Sequence, residues 1–278
     1  GKRPIMVHMR VDFALLAIEP IVNQAAKWHY MYGGKMRAPL VIRMIIGRGW
    51  GQGPQHSQSL QSWFGHVPGL KVVMPARSVD AKGMLIAAVK DDAPVVIFEH
   101  RWLYNLSGPV SETPEARPLE GAEVLRQGCD VTIASTSYMV IEALRAADEL
   151  AQIGIEAEVI DLRCLTPIDT ETLKKSLSKT GHLVVADTGQ AAFGVAAEVV
   201  AQACQHAFQH LKAAPRCIAL PHLPTPTTPA LADLFYPGAR DISQVVHTML
   251  GAVRPLPPAA PQERLWRDTP DPDFVGPY

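Results

Sequence analysis

A single histidine, His56, stands in the sequence context most suited to chemistry. It follows a segment with four glycines and a proline between Gly47 and Pro54, and its neighbours are glutamine and serine. A glycine-rich segment lets a backbone approach a ligand closely, and an imidazole exchanges protons near neutral pH. The plainer alternative is a surface loop with an incidental histidine, and this stretch alone leaves both interpretations open.

The flanking sequence predicts how this histidine is positioned. The apolar residues 39–42 indicate a short buried strand, and Leu60, Trp63 and Phe64 follow the loop at helical spacing. A strand, a glycine loop and a helix start are the arrangement with which α/β proteins present a side chain at the end of a sheet.

Short apolar strands alternate with helices in the first hundred residues. Strands are predicted over residues 5–9, 39–42, 70–75 and 94–99. A helix is predicted over residues 12–32, with Asp12 as its N-cap and with a kink, or a break between two helical pieces, at Pro20. Ser78 is expected to cap the next helix. This alternation indicates a parallel sheet with both faces covered.

Residues 105–124, rich in proline and polar groups, are predicted to link this unit (residues 1–104) to a second α/β unit over residues 125–251. In the second unit, strands are predicted over 130–135, 156–161, 182–186 and 216–220, with helices over 139–152, 170–178, 196–211 and 241–250. Asp169 is expected to cap the second of these helices. Residues 252–278 lack periodicity and are predicted to form an extended or disordered tail.

Bulk composition excludes several functional classes. The 278 residues are 47% hydrophobic and 19% charged with a net charge of −1, so neither a nucleic-acid nor a membrane partner is expected. The histidines form no metal-type pair, and the four cysteines form no Cys-x-x-Cys pair. We expect buried thiols in a reducing compartment and a cytoplasmic protein, since neither a membrane-spanning run nor a secretion signal is evident.

A series of short motifs runs through both units. They are Asp12-Phe13-Ala14 and the segments 21–27, 32–34, 55–58, 68–73, 80–83, 161–163 and 166–169. This succession resembles the beta subunit of the thiamine-diphosphate-dependent first component of 2-oxoacid dehydrogenase complexes, of the pyruvate, branched-chain and acetoin type, which is related to transketolase. The resemblance implies an α/β fold with a partial transketolase-type pyrimidine-binding domain and a doubly wound transketolase C-terminal domain.

The resemblance also implies roles for individual residues. Phe13 corresponds to the aromatic residue that stacks on the cofactor's aminopyrimidine, Gln55 to a cofactor-binding position and His56 to the active-site histidine. Stacking fixes the orientation of a flat heterocycle, and the imidazole can exchange protons with the donor or the acceptor. Without the resemblance, Phe13 is interpreted as a core residue at a helix start.

A structural potassium ion is a further implication of the resemblance. The matching positions are Leu40, Ala88, Val89, Asp91 and Ala93. Hard cations take oxygen ligands, so backbone carbonyls with one aspartate suit such an ion. Asp91 could equally be a solvated turn residue.

The family's catalytic glutamate, which promotes the imino tautomer of the cofactor, precedes the segment matched here. A chain of this kind has three explanations: a split gene whose partner chain carries the first part of the beta fold, a processed fragment, or a degenerate, non-catalytic subunit. The split is favoured, because Phe13 and His56 are intact.

Two arginines depart from the pattern of the better-known relatives. Arg48 lies in the glycine loop and Arg101 follows the strand over 94–99. Guanidinium groups bind carboxylates and phosphates, so both are candidates for an anionic substrate such as a phosphorylated ketose. The alternative is that they anchor a subunit interface.

The leading hypothesis is a beta-type subunit that forms an acyl-anion equivalent and passes the acyl unit to a lipoyl or carrier-bound acceptor. Thiamine diphosphate and magnesium would be held mainly by an alpha-type partner in an α2β2 assembly. The alternatives are transketolase-like two-carbon transfer from a ketose phosphate to a carrier protein, and a non-catalytic structural subunit.

Overall fold

The computed structural model describes residues 2–48, 51–104 and 106–258. Its first sheet contains β1 (Ile5–His8), β2 (Val41–Ile46), β3 (Lys71–Val73) and β4 (Val95–His100), in the order β1-β2-β4-β3 and with parallel pairing throughout. The strand predicted over 39–42 begins later and continues to Ile46, because residues 43–46 still pair with β4. Valine and isoleucine favour this half-buried pleated geometry.

The segment between β1 and β2 is helical but irregular, so the single helix predicted over 12–32 is wrong. It consists of a 3-10 helix (Val11–Ala17), a π-helix (Pro20–Ala25) and the short helix α1 (Trp28–Met31). Pro20 does not interrupt the chain of helical residues, since residues 18–19 are helical and lead directly into the π-helix; the helix type changes at Pro20, because proline lacks the N–H that a regular helix requires.

Asp12 does not cap this segment. The N-cap residue is Arg10, and the Asp12 carboxylate instead accepts a hydrogen bond of 2.5 Å from the Gln58 side chain. The expected local cap is therefore replaced by a long-range contact with the loop that carries His56.

Two helices follow, α2 (Gln61–Gly65) and α3 (Ser78–Lys90). The predicted cap of α3 is also wrong, since Arg77 is the N-cap residue and the Ser78 hydroxyl donates to the Leu106 carbonyl at 3.4 Å. Met84 and Ala88 of α3 pack against one face of the first sheet.

The second sheet contains β5 (Glu123–Arg126), β6 (Val131–Ser135), β7 (Ala157–Asp161), β8 (Leu183–Gln190) and β9 (Arg216–Leu220), in the order β5-β7-β6-β8-β9. β5 is antiparallel to β7, and the other pairings are parallel. Sequence patterns missed β5, whose first residues fall within the range predicted as a linker.

The helices of the second unit are α4 (Tyr138–Ala151), α5 (Thr170–Thr180), α6 (Val195–Ala207), α7 (Pro229–Phe235) and α8 (Ala239–Met249). The predicted cap of α5 is confirmed, since the Asp169 carboxylate accepts from the Thr172 N–H at 2.9 Å. Helix α7 was missed because prolines crowd its start, although proline is well tolerated in the first helical turn.

The two units share a hydrophobic core. Helices α4 and α8 cover one face of the second sheet, where Val131 and Ile133 are buried. The core on the other face runs on into the first unit and includes Ile42, Phe98 and Leu177. Because both units bury side chains in this core, the strand ends of the two sheets are held in a fixed relative orientation.

The four cysteines are free. Cys164 is buried as expected, whereas Cys129 and Cys217 are exposed, so the prediction of four buried thiols is wrong. Within the described ranges, no helix combines the length and apolar character needed to cross a membrane.

Candidate active site

Parallel pairing gathers several polar side chains at one edge of the first sheet. His8 pairs with Met44, and Ile46 pairs with His100, so β1, β2 and β4 end side by side. Arg10, Arg48 and Arg101 follow these strands directly. The C-terminal edge of a parallel sheet is where α/β proteins build ligand sites.

His56 and Phe13 meet at this edge. Their ring centroids are 5.4 Å apart with planes tilted by 37°. Phe13 is 51% exposed, so the core-residue interpretation of this side chain is wrong. The Nδ1 atom of His56 is buried and has no hydrogen-bond partner among the described residues. An exposed aromatic face next to an unsatisfied imidazole nitrogen is suited to a flat polar heterocycle. Gln55 is exposed, and its cofactor-binding role stays a prediction.

Arg48 lies in a cage of three aromatic rings. Its guanidinium carbon is 4.1 Å from the ring centroid of Trp102, 4.6 Å from that of Tyr236 and 5.4 Å from that of Tyr138. Only 4% of Arg48 is exposed. Trp102 follows β4 of the first unit, whereas the two tyrosines belong to the second. The structure therefore places Arg48 between the two units of the chain.

Arg10 braces the glycine loop from the first unit. Its guanidinium donates to the Gly47 carbonyl at 3.0 Å and to the Gln52 side chain. Burial lowers the pKa of Arg10 to about 10, with a smaller contribution in the same direction from Arg101. Arg101 is partly buried, and burial lowers its pKa as well. Sequence patterns did not single out Arg10, although its position directly after β1 was the available signal.

His100 is a buried neutral imidazole within the same cluster. Its ring stacks on Tyr138 with centroids 5.0 Å apart, and its Nδ1 accepts from the Trp102 N–H at 3.2 Å. This bond puts the ring proton on Nε2. Burial holds the pKa of His100 well below its usual range, and the neighbouring Arg48 and Arg10 act in the same direction.

A second polar contact joins the units just after the His56 loop. The Gln61 amide donates to the Asp187 carboxylate at 3.1 and 3.3 Å, and the Thr136 hydroxyl donates to it at 2.9 Å. Burial raises the pKa of Asp187, although these hydrogen bonds oppose the change. Between this contact and Arg48 lies a cavity of about 20 Å³, which has room for one water molecule.

An ion-pair network forms a third contact between the units. Asp80, fully buried on α3, pairs with Arg77, Arg117 and Arg163 at 2.7, 2.9 and 3.1 Å. Glu123 on β5 pairs with the same three arginines at 2.6, 2.6 and 3.3 Å.

Asp161 lies next to this network at the end of β7. Burial, followed by the charge of Asp80, raises the pKa of Asp161 to about 7. One of its oxygens accepts from the Arg163 N–H at 3.1 Å, and the other is buried with no hydrogen-bond partner in the described ranges.

Several of the oxygens expected to bind potassium have partners within the chain. Arg3 donates to the Asp91 carbonyl at 2.5 Å and to the Val89 carbonyl at 3.4 Å, and Lys71 pairs with the Asp91 carboxylate at 2.6 Å. The Leu40 carbonyl accepts from the Val95 N–H. Because two cationic side chains already contact these groups, this arrangement does not fit a potassium ion. In the part of the chain that is described, no cluster of three or more His, Cys, Asp or Glu residues could hold a metal ion.

Comparisons with known proteins agree with this geometry. The family model of the transketolase pyrimidine-binding domain matches residues 1–107, and that of the transketolase C-terminal domain matches residues 120–242. A solved chain described as "Split gene transketolase, inactive beta4 tetramer" superimposes with a TM-score of 0.72 at 25% identity, covering 91% of this chain and 78% of that one.

Curated relatives match most of the chain. The beta subunit of acetoin:2,6-dichlorophenolindophenol oxidoreductase from Cupriavidus necator is 45% identical over 252 residues, 90% of this chain and 75% of the relative. The mitochondrial pyruvate dehydrogenase E1 component subunit beta from Ascaris suum is 41% identical over 257 residues, covering 90% and 71%. The chain therefore belongs to the transketolase-related family of acetoin- and pyruvate-dehydrogenase beta subunits.

Proposed function

We propose that this chain is the beta-type subunit of a thiamine-diphosphate-dependent enzyme that cleaves a carbonyl donor and transfers the acyl unit to a lipoyl or carrier-bound acceptor. The observation that carries the proposal is the His56–Phe13 pair, with its buried unsatisfied Nδ1 atom, at the C-terminal edge of a transketolase-type sheet. Family membership supports the same activity.

Phe13 and His56 fit the cofactor's pyrimidine end. Phe13 is 51% exposed, so its ring is accessible to a planar ligand, and the buried Nδ1 atom of the adjacent imidazole has no hydrogen-bond partner among the described residues. When bound, thiamine diphosphate supplies a nucleophilic carbon and an electron sink for cleavage of a bond next to a carbonyl. Phe13 would orient the ring from one side, and Gln55 would contribute a polar contact from the exposed end of the loop.

His56 is proposed to hold and move a proton. In its neutral form the imidazole carries one N–H donor, which can donate a hydrogen bond to a developing alkoxide, and one acceptor nitrogen, which can receive a proton from the acceptor substrate. The imidazolium formed in this way can then return that proton to the alkoxide. The Phe13 ring limits how far the imidazole can turn. Gly47, Gly51 and Gly53 have positive φ angles, which allow the loop to turn back toward the sheet edge.

Arg101 is proposed to contact an anionic donor, either a 2-oxoacid or a ketose phosphate. Its position directly after β4 supports this role, since it shares the edge with His56. Arg48 is a weaker candidate, because three rings enclose its guanidinium. Potassium plays no part in the proposal, because Arg3 and Lys71 contact the oxygens concerned.

The proposed partner is an alpha-type subunit that holds the diphosphate and magnesium in an α2β2 assembly. The names of the relatives support this, since each is a beta subunit of a multi-subunit enzyme. A lipoyl domain or an acyl carrier would approach the same sheet edge.

The test uses the full chain co-expressed with an alpha-type partner. Thiamine-diphosphate-dependent reduction of a dye is measured with pyruvate, acetoin and a ketose phosphate as separate donors. Loss of a general acid–base group typically costs about 10²–10⁴-fold, so His56→Gln should reduce kcat on that scale. The matched control is His206→Gln, an exposed histidine on α6, which should leave activity unchanged. Full activity of His56→Gln would refute the proposed role.

A further inference from the structure

The loop that carries His56 is bounded by contacts with the second unit. On its N-terminal side, Arg48 lies against Tyr138 and Tyr236 of the second unit. On its C-terminal side, Gln61 donates to Asp187, and both residues are buried. The two ends of the loop are therefore attached to a different unit from the one whose strand leads into it.

The middle of the loop also lies on the second unit. A Cβ atom on Gly51 would be 2.7 Å from the Thr227 carbonyl oxygen, and one on Gly53 would be 2.8 Å from the Thr227 hydroxyl oxygen. Both glycines have positive φ angles, of 65° and 70°. Since neither position tolerates a side chain without a shift, the backbone here follows the surface that Thr227 presents.

The guanidinium of Arg48 is suited to this anchoring role. A planar cation can face several aromatic rings at once, whereas a lysine ammonium is compact and strongly hydrated. The rings come from both units, so the aromatic cage around the Arg48 guanidinium is complete only when the two units are correctly docked. Arg10 fixes the carbonyl of Gly47, the residue just before Arg48, from the first unit.

We infer that Arg48 is a positioning residue, which places His56 by fixing the glycine loop to the aromatic cage formed by Trp102, Tyr138 and Tyr236. This inference rests on the proposed function, because His56 is the group being placed. A displacement of about 1 Å of a reacting group can reduce the rate by roughly 100-fold. The second unit would thus control the chemistry of a residue that it does not contain.

The test compares Arg48→Met and Arg48→Lys in the full chain with its alpha-type partner. Arg48→Met should lower kcat by roughly 10- to 100-fold while KM changes by less than about threefold, and Arg48→Lys should recover part of kcat. Hydrogen exchange of the amides over residues 51–60 should accelerate in Arg48→Met, whereas exchange in β6 should not change.

The matched control is Arg117→Met, which removes a different arginine from a contact between the same units. It should lower the unfolding temperature without changing kcat or exchange in the loop. If Arg48→Met changes kcat no more than Arg117→Met, or leaves exchange over 51–60 unchanged, the inference is wrong. If His56→Gln is fully active while Arg48→Met still accelerates exchange in the loop, the proposed role of His56 fails and the anchoring of the loop by Arg48 stands. If neither wild type nor any variant shows thiamine-diphosphate-dependent activity, the proposed function fails, whereas the exchange measurement still tests the anchoring.

Discussion

Two contacts between the units use arginine in opposite ways. Around Arg48, a single guanidinium is enclosed by three aromatic rings, and the neighbouring Arg10 donates to two neutral acceptors, the Gly47 carbonyl and the Gln52 side chain. Around Asp80, three arginines surround two carboxylates. The first contact borders the loop that carries His56, whereas the second lies between α3 and the start of the second sheet.

The difference shows that ion pairs and aromatic contacts have different effects at the same interface between the units. A buried carboxylate that loses its arginine partners destabilises the fold strongly. The Asp80 network therefore favours the one docked arrangement of the units in which all its ion pairs form. An arginine among rings contributes less energy, but it fixes a plane and a direction at the loop. We therefore expect mutations in the Asp80 network to affect stability, and mutations around Arg48 to affect the position of the glycine loop.

The largest expected effect is on the ion-pair network. Asp80→Ala should lower the free energy of unfolding by about 3–5 kcal/mol, because it removes a fully buried carboxylate that pairs with Arg163. Denaturant unfolding measures this change. Asp148→Ala, which removes an exposed partner of Arg126, is the control and should cost less than about 1 kcal/mol. Equal losses of unfolding free energy in the two variants would show that the buried network contributes no more than an exposed ion pair.

The second prediction concerns pH and Asp161. Its pKa in the folded chain, about 7, is above the unfolded value, so the protonated form favours folding. The stability contribution is present at pH 4 and is lost as pH rises through 7, by about 4 kcal/mol at 1.36 kcal/mol per pKa unit.

The Asp161→Asn variant should lack this part of the pH dependence, as measured by denaturant unfolding between pH 4 and 8. Glu112→Gln, at an exposed site, should retain the wild-type profile. Superimposable profiles for wild type and Asp161→Asn would show that burial of this carboxyl has no such effect.

A third change tests the aromatic region. A Cβ atom on Gly47 would lie 2.2 Å from Nε2 of the buried His100, and the φ angle of Gly47 is +88°. Gly47→Ala should therefore cost about 3 kcal/mol from overpacking and backbone strain together. Gly154→Ala is the control, since its φ angle is +84° but its Cβ would meet no atom within 4 Å. Thermal unfolding of both variants separates the effect of steric overlap from that of backbone strain. A similar loss of stability in both would show that overlap with the His100 ring does not contribute.

The smallest expected effect is the coupling between Arg48 and one ring. A double-mutant cycle with Arg48→Met and Tyr236→Leu should give an interaction of about 2 kcal/mol in the free energy of unfolding, as expected of a desolvated cation–π contact. The same cycle with Tyr30→Leu, an exposed tyrosine, should give none. Additive effects for Tyr236 would mean that its ring does not hold the guanidinium.

The sequence by itself determined the alternating α/β pattern, the helix irregularity at Pro20, the cap at Asp169, and the candidacy of His56 and Phe13. Each of these depends on local chemistry: an apolar strand, a missing N–H, a capping carboxylate, or a motif whose residues lie in order. The motifs also led to the family, because several of them recur with the spacing of the relatives.

Only the tertiary structure decided what surrounds these residues. From the sequence, Arg48 is a cationic residue in a glycine loop. Only the folded chain brings Tyr138 and Tyr236, which are far away in the sequence, into contact with it. The sequence predicted Asp12 to be a helix cap, but in the folded chain Gln58 donates to its carboxylate. Asp91 was predicted to be a metal ligand, but Lys71 and Arg3 contact it. Local pattern fixes what a side chain can do, whereas burial and long-range partners decide which of those roles it takes.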